Sequence, residues 1–243
     1  MTYCDIHNHS LPGVDDDGAR DFDSAFRMLR LSVEEGVSEV VLTPHSRAVR
    51  KKLESGELLR QVETLRRACA KGEIAITLTL GMEVFLEPNL PELFEQGLAL
   101  PINGSKYMLV ESPYTKALPR YTEDVLLGLQ LKGVTPIIAH PERCDAFMAE
   151  PGLLAPFVER GMLVQVTAGS ITGAFGATAK RTAEYFLKQG LVHVLASDGH
   201  GSHGTRKPRM AEGVKAAAKF VGEAQAEAMA STTPRAIVAN QPV

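Results

Sequence analysis

Nine side chains have the type and placement of metal ligands: His7, His9, Asp16, His45, Glu83, Glu111, His140, Asp198 and His200. His7 and His9 are alternate residues, a spacing that sends both imidazoles to one side of a strand. Imidazole and carboxylate donors without thiolate suit manganese, iron or zinc better than calcium, which prefers all-oxygen sites. Asp16, Glu83, Glu111 and Asp198 would bring four negative charges to one mouth and repel strongly without cations. Three divalent ions would reverse that balance and leave two positive charges for a phosphate dianion. Arg143 follows His140 by three residues and Arg206 follows His200 by six, so both belong to loops at the same mouth. A guanidinium fork holds two phosphate oxygens at once, which points the chemistry to a phosphoryl group. His203 shares the glycine-rich loop with His200 and reads as a substrate-side group rather than a ligand.

Placing these residues together requires parallel strands. Short apolar runs fall at Tyr3–Ile6, Glu39–Thr43, Ala75–Met82, Tyr107–Val110, Thr135–Ala139, Met162–Thr167 and Val192–Ala196. Helical patterns alternate with them near Phe22–Glu35, Glu57–Lys71, Tyr121–Lys132, Leu153–Arg160, Thr178–Gln189 and Met210–Ala230. Asp23 and Thr178 are the expected caps of two of these helices, with Gly36 and Gly190 at the far ends. Six of the seven strands end in His, Asp or Glu, the edge where parallel α/β barrels carry their chemistry. A single-domain, closed or nearly closed seven-stranded (β/α) barrel over residues 1–243 is therefore expected; a doubly wound open sheet has the same periodicity.

Each residue alone has a bland reading. A bare His-x-His can be two surface imidazoles, and Asp198-Gly199-His200 reads by itself as a turn. Their joint placement decides for a shared metal site, because independent turns would not all select metal-binding side chains. The run Arg47, Arg50, Lys51 and Lys52 reads as a solvated helix face, and Gly169, Gly173 and Gly176 lack the spacing of a nucleotide cradle. A cysteine-dependent phosphatase needs an arginine six residues after its nucleophile. Here Ser10, Ala75 and Glu150 stand there after Cys4, Cys69 and Cys144, which excludes that mechanism.

Composition narrows the class. Lys and Arg number 26 against 29 Asp and Glu, a net charge of -3, which argues against a general nucleic-acid binder. No apolar run approaches bilayer length and the first residues lack a secretory pattern, so a cytoplasmic location without membrane insertion is expected.

Taken together, "DIHNHSLPGVDDDGA", "VVLTPH", "GMEV", "LVESPY", "PIIAHPERC", "QVTAGSITGAFG" and "LVHVLASDGHG" resemble the bacterial tyrosine phosphatases of capsule and exopolysaccharide synthesis, within the polymerase-and-histidinol-phosphatase (PHP) superfamily. The resemblance runs in order along nearly the whole chain. It implies a distorted PHP barrel with three ions, manganese first, iron or zinc as alternatives. One ion would take His7, His9, Glu83 and Asp198, a second Glu83, Glu111 and His140, and a third Asp16, His45 and His200. Arg143 and Arg206 match the family's phosphate-contacting arginines. This chain has three consecutive aspartates where the family usually has two, so counting from the histidines selects Asp16, whereas counting back from Gly18 selects Asp17.

The implied reaction is phosphotyrosine hydrolysis by a metal-activated hydroxide, with His203 or bound water as proton donor. The implied partner is a tyrosine-rich tail of a bacterial tyrosine autokinase. A small-molecule phosphatase such as one for histidinol phosphate, an amidohydrolase, a nuclease and a non-catalytic metal-binding module are the competing readings.

Overall fold

The computed structural model describes residues 2–243. In chain order its elements begin with β1 (Tyr3–Asn8), α1 (Phe22–Glu34), β2 (Val37–Leu42), α2 (Ser46–Glu54), α3 (Glu57–Lys71), β3 (Thr77–Leu80) and β4 (Glu83–Phe85). They continue through α4 (Leu90–Glu95), β5 (Tyr107–Glu111), α5 (Thr122–Leu131), β6 (Thr135–Ala139), α6 (Asp145–Ala149) and α7 (Ala155–Glu159). The remaining elements are β7 (Leu163–Thr167), α8 (Ala168–Thr172), α9 (Ala177–Lys188), β8 (Val194–Ala196), α10 (Met210–Val221), α11 (Glu223–Ala230) and α12 (Thr232–Val238).

All strand pairs are parallel, in one sheet of order β1-β2-β3 and another of order β4-β5-β6-β7-β8. Two isolated parallel bridges, His45 with Glu83 and Asn8 with Gly199, link the sheets at their edges. The result is the barrel-like α/β arrangement expected, with eight strands instead of seven. The third expected strand shortens to β3, which pairs with β2, and an additional strand, β4, starts after Gly81-Met82 and pairs with β5. A Cβ on Gly81 would stand 3.1 Å from Val41 Cγ1 and 3.3 Å from the Ile102 Cα, so a larger residue would press its neighbours aside by a few tenths of an ångström.

Alternation along the strands aims the polar ends. On β5, Tyr107 and Leu109 join the inner apolar cluster while Met108 and Val110 join the outer one, leaving Glu111 as the next inward position. On β8, Val194 and Ala196 point inward, and Asp198 follows in phase. On β1, Cys4 and Ile6 point inward, which would leave His7 out of phase. The register corrects this: from Asp5 to Asn8 β1 advances three residues while β2 advances from Val40 to Leu42, so a bulge turns the histidines into the mouth. Ile237 and Val238 of α12 join the same inner cluster.

Several local expectations change. Asp21, not Asp23, caps α1: its carboxylate accepts from Ser24 N at 2.8 Å while its own N–H donates to Ser24 Oγ at 3.0 Å. α9 opens after Gly176, whose φ of 93° precedes the helix, so Thr178 lies inside it. The long C-terminal helix breaks at Gly222 (φ 83°) into α10 and α11. The Leu153–Arg160 stretch becomes a 3-10 turn at Pro151–Leu154 followed by α7, since Pro156 cannot donate a helical hydrogen bond. Among the described residues no helix is long and apolar enough to cross a membrane.

Candidate metal centre

Glu83, at the start of β4, is the hub of the predicted cluster. Its Oε1 lies 2.7 Å from His140 Nε2 and 3.3 Å from His7 Nε2. Its Oε2 lies 2.8 Å from His45 Nδ1 and 3.3 Å from His9 Nε2. Asp198 Oδ1 stands 3.3 Å from His7 Nε2 and 3.3 Å from His200 Nδ1. Donor atoms converge in four overlapping sets: His7 with His9 and Asp198, His7 with Glu83 and His140, His45 with Glu83 and Glu111, and His9 with His45 and His200. Eight of the nine expected ligands are thus gathered in one place. His140 (φ 30°) and Asp198 (φ 50°) both hold left-handed backbone, a strained conformation that re-aims them at the strand ends.

Asp16 is the exception. It is exposed, and the next residue, Asp17, faces the cluster instead, 3.6 Å from His45 Nε2 and 3.5 Å from His200 Nε2. Counting back from the glycine therefore selects the aspartate that faces the cluster. Gly18 explains why: a Cβ there would stand 2.7 Å from the His9 carbonyl oxygen, so the loop is pinned against β1 at Gly18, directly after Asp17.

The donor atoms fit a cation. His7 Nδ1 contacts Gln165 Oε1 at 2.9 Å and His9 Nδ1 contacts Asp15 Oδ2 at 2.9 Å, so each Nδ1 carries the hydrogen. Both Nε2 atoms then present lone pairs, yet they face each other at 3.2 Å. Glu83 Oε2 and Asp198 Oδ1 are buried and accept no well-formed hydrogen bond. Lone pairs from nitrogen and oxygen thus outnumber the well-placed donors in a common space, the demand a metal ion meets. Asp15 also accepts from the His45 N–H at 2.9 Å, which ties the aspartate loop to β2.

Without metal, protons take up part of that demand. Burial opposes charge on His7, but Glu83 and Asp198 outweigh it and push its pKa up to about 9. Burial likewise opposes charge on His45, which Asp17 and Glu83 push up to about 11. Burial and repulsion from Glu83 raise Glu111 to about 7. Burial, with the neighbouring His9 and Arg206, lowers His200 to about 2.

Both expected arginines reach the cluster. Arg143 donates to Asp198 Oδ2, and its guanidinium lies over the Phe175 ring at 4.3 Å. Arg206 donates to Asp17 Oδ2 at 2.8 Å. His203 is exposed on the rim and contacts Ser202 Oγ at 2.8 Å, not the cluster. Residues missed by the sequence reading complete the mouth: Gln165 and Asp15 orient imidazoles, and Tyr114 stacks on His140 with centroids 6.1 Å apart and planes 18° apart. Glu142, fully buried, accepts from Thr167 N at 3.0 Å and Ser170 Oγ at 2.7 Å, fixing the loop that carries Arg143.

The chain is similar to known proteins. Residues 3–239 match the family described as "Capsular polysaccharide synthesis, CpsB/CapC". The chain is 35% identical over 196 residues to tyrosine-protein phosphatase YwqE of Bacillus subtilis (strain 168), covering 81% of this chain and 76% of that one. It is 28% identical to tyrosine-protein phosphatase CpsB of Streptococcus pneumoniae, with 98% of each chain covered. Crystal structures described as YwqE from Bacillus subtilis and CpsB from Streptococcus pneumoniae, "unique metal-dependent tyrosine phosphatases", superpose with a TM-score of 0.88 at 30% identity, over 99% of this chain and 96% of that chain. A prolidase structure at 13% identity, covering 99% of this chain and 74% of that one, shares the fold alone (TM-score 0.51). The chain belongs to the CpsB/CapC family of capsular polysaccharide synthesis.

Proposed function

We propose that the protein is a metal-dependent phosphatase that removes phosphate from tyrosine residues of proteins. The observation that carries this reading is the set of inward-facing lone pairs flanked by two guanidiniums at one mouth. His7, His9, Glu83 and Asp198 would hold one ion, and Glu83, Glu111 and His140 a second. His45, His200 and Asp17 (in place of Asp16) would hold a third. Nitrogen and oxygen donors without sulfur favour manganese, with iron or zinc as alternatives. Such ions supply positive charge for the phosphoryl oxygens and make water acidic enough to attack phosphorus near neutral pH.

The chain's own groups bind and orient. Arg143 and Arg206 exchange their carboxylate partners for phosphoryl oxygens and hold the group for in-line attack. Tyr114 on His140 and Phe175 under Arg143 give the mouth aromatic walls suited to a phenyl ring. A phenolate with pKa about 10 departs with little acid assistance. His203 on the rim is the proposed proton donor. The substrate implied by the family resemblance is the tyrosine-rich tail of a bacterial autokinase. We place the reaction in the cytoplasm, where Cys4, Cys69 and Cys144, all free and buried, stay reduced.

The test is hydrolysis of p-nitrophenyl phosphate and a phosphotyrosyl peptide after chelation and reloading with manganese, iron or zinc. Activity should vanish on chelation and return with metal, and Glu83→Gln should lose both bound metal and turnover. Full activity of reloaded Glu83→Ala overturns the mechanism. Turnover of histidinol phosphate alone reassigns the substrate.

A further inference from the structure

Beside the cluster, sharing Asp17 and His200 with it, opens a groove of roughly 800 Å³. Its wall is formed by Arg20, Ser24 and Arg27 at the start of α1, and its far side by the Gly201–His203 loop. Ala19 and Met28, both buried, form its floor. The volume is that of a ligand pocket able to take more than one side chain.

The charges in the groove are unevenly used. Its one acidic lining residue, Asp17, is already engaged by Arg206 at 2.8 Å, His200 at 3.5 Å and His45 at 3.6 Å. The side chains of Arg20 and Arg27 are exposed and make no hydrogen bond or ion pair among the described residues, acting on Asp21 only at longer range. Asp21, close to both, directs its carboxylate to the Ser24 N–H as the helix cap. The chain as a whole carries a net charge of -3, so this cationic strip runs against its average.

Building on the reading of the site as a protein-tyrosine phosphatase, we propose that this groove is a second subsite, in which Arg20 and Arg27 bind an anionic residue of the substrate chain next to the phosphotyrosine under attack. A carboxylate and a second phosphotyrosine offer the same chemistry. A peptide anchored at the cluster through Arg206 needs only to run past Asp17 to place its neighbouring anion between the two arginines. Free aryl phosphates, lacking a chain, do not reach it.

The experiment compares manganese-loaded wild type and Arg20→Ser/Arg27→Ser on four substrates. These are p-nitrophenyl phosphate and phosphotyrosyl peptides flanked by glutamine, glutamate or a second phosphotyrosine. Because the two side chains have no partners in the fold, their removal should leave the melting temperature unchanged. Wild type should prefer each anionic peptide over the glutamine peptide by about tenfold in kcat/KM, carried by KM and weakened by added salt. The double variant should lose that preference, and Arg27→Glu should reverse it. Preference confined to one anionic peptide identifies the natural anion. Equal kcat/KM for all three peptides in wild type, or a preference that survives in the double variant, overturns the subsite. Failure of wild type to hydrolyse any of the four overturns the phosphatase reading instead.

Discussion

Arg206 Nη2 donates to His200 Nε2 at 2.7 Å. His200 Nδ1 contacts the Asp198 carbonyl oxygen at 3.0 Å, so Nδ1 carries the hydrogen and Nε2 the lone pair. A guanidinium therefore occupies the lone pair that the proposed third ion would use, and the same side chain also holds Asp17. Arg206→Ala should bind the weakest of its ions more tightly in a metal titration, yet lose about 10²–10³-fold in kcat for want of a phosphoryl contact. Weaker metal binding in that variant would show that Arg206 supports the ion rather than competing with it.

The aspartate run supplies a paired test. Asp16→Ala, at an exposed position, should change stability by no more than about 0.5 kcal/mol and leave metal content intact. Asp17→Ala should weaken metal binding at His45 and His200 by about tenfold or more, read by metal analysis after dialysis. The reverse pattern would restore Asp16 as the ligand.

Gln165 and Asp15 hold the far nitrogens of the His7 and His9 imidazoles, and Asp15 accepts in addition from the His45 N–H. Gln165→Leu and Asp15→Asn leave every candidate ligand in place but free the rings of His7 and His9. Each should cost about 10–100-fold in metal affinity, with activity recovered at high metal concentration. Activity lost at saturating metal would point to a different role.

Metal and protons compete for the same atoms. With His7 raised to about 9 and His45 to about 11, both carry protons at neutral pH in the metal-free chain. Ion binding must expel them, so affinity should rise with pH through neutrality, and calorimetry in buffers of different ionisation enthalpy should detect proton release. For stability the sign is opposite. The raised His7 pKa contributes stability to the metal-free protein below about 6.5, and that stability is lost as pH rises through about 9. Bound metal should remove this decline from the melting curves.

The candidate ligands were legible because most close or follow an apolar run, and an apolar run followed by a polar residue is visible in the sequence. Glu83 and Glu111 could be found this way, although the chain break between β3 and β4 could not, since it depends on how closely Gly81 meets Ile102. Asp16 and Asp17 could not be told apart in the sequence because residues in a loop have no period; the contact of Gly18 with His9 fixes which aspartate faces the cluster. Gln165 did leave a signal, a polar residue amid the apolar run of β7, fully buried in the fold. Tyr114 and Phe175 left none, because an aromatic residue in a loop is as common on ordinary surfaces. The free arginines of the groove were equally hidden, as the absence of a partner is a property of space, not of order along the chain.

The seam between β1 and the segment after β8 has a consequence for biogenesis. Asp198 N–H donates to the His7 carbonyl at 2.9 Å and His9 N–H to the Gly199 carbonyl at 2.9 Å, joining residues about 190 positions apart along the chain. A nascent chain carrying only its amino-terminal ligands cannot close that seam, and loop-closure entropy makes such distant pairing slow. Ion capture should therefore wait for synthesis of the segment after β8, and translation arrested before Asp198 should yield a polypeptide that does not retain metal.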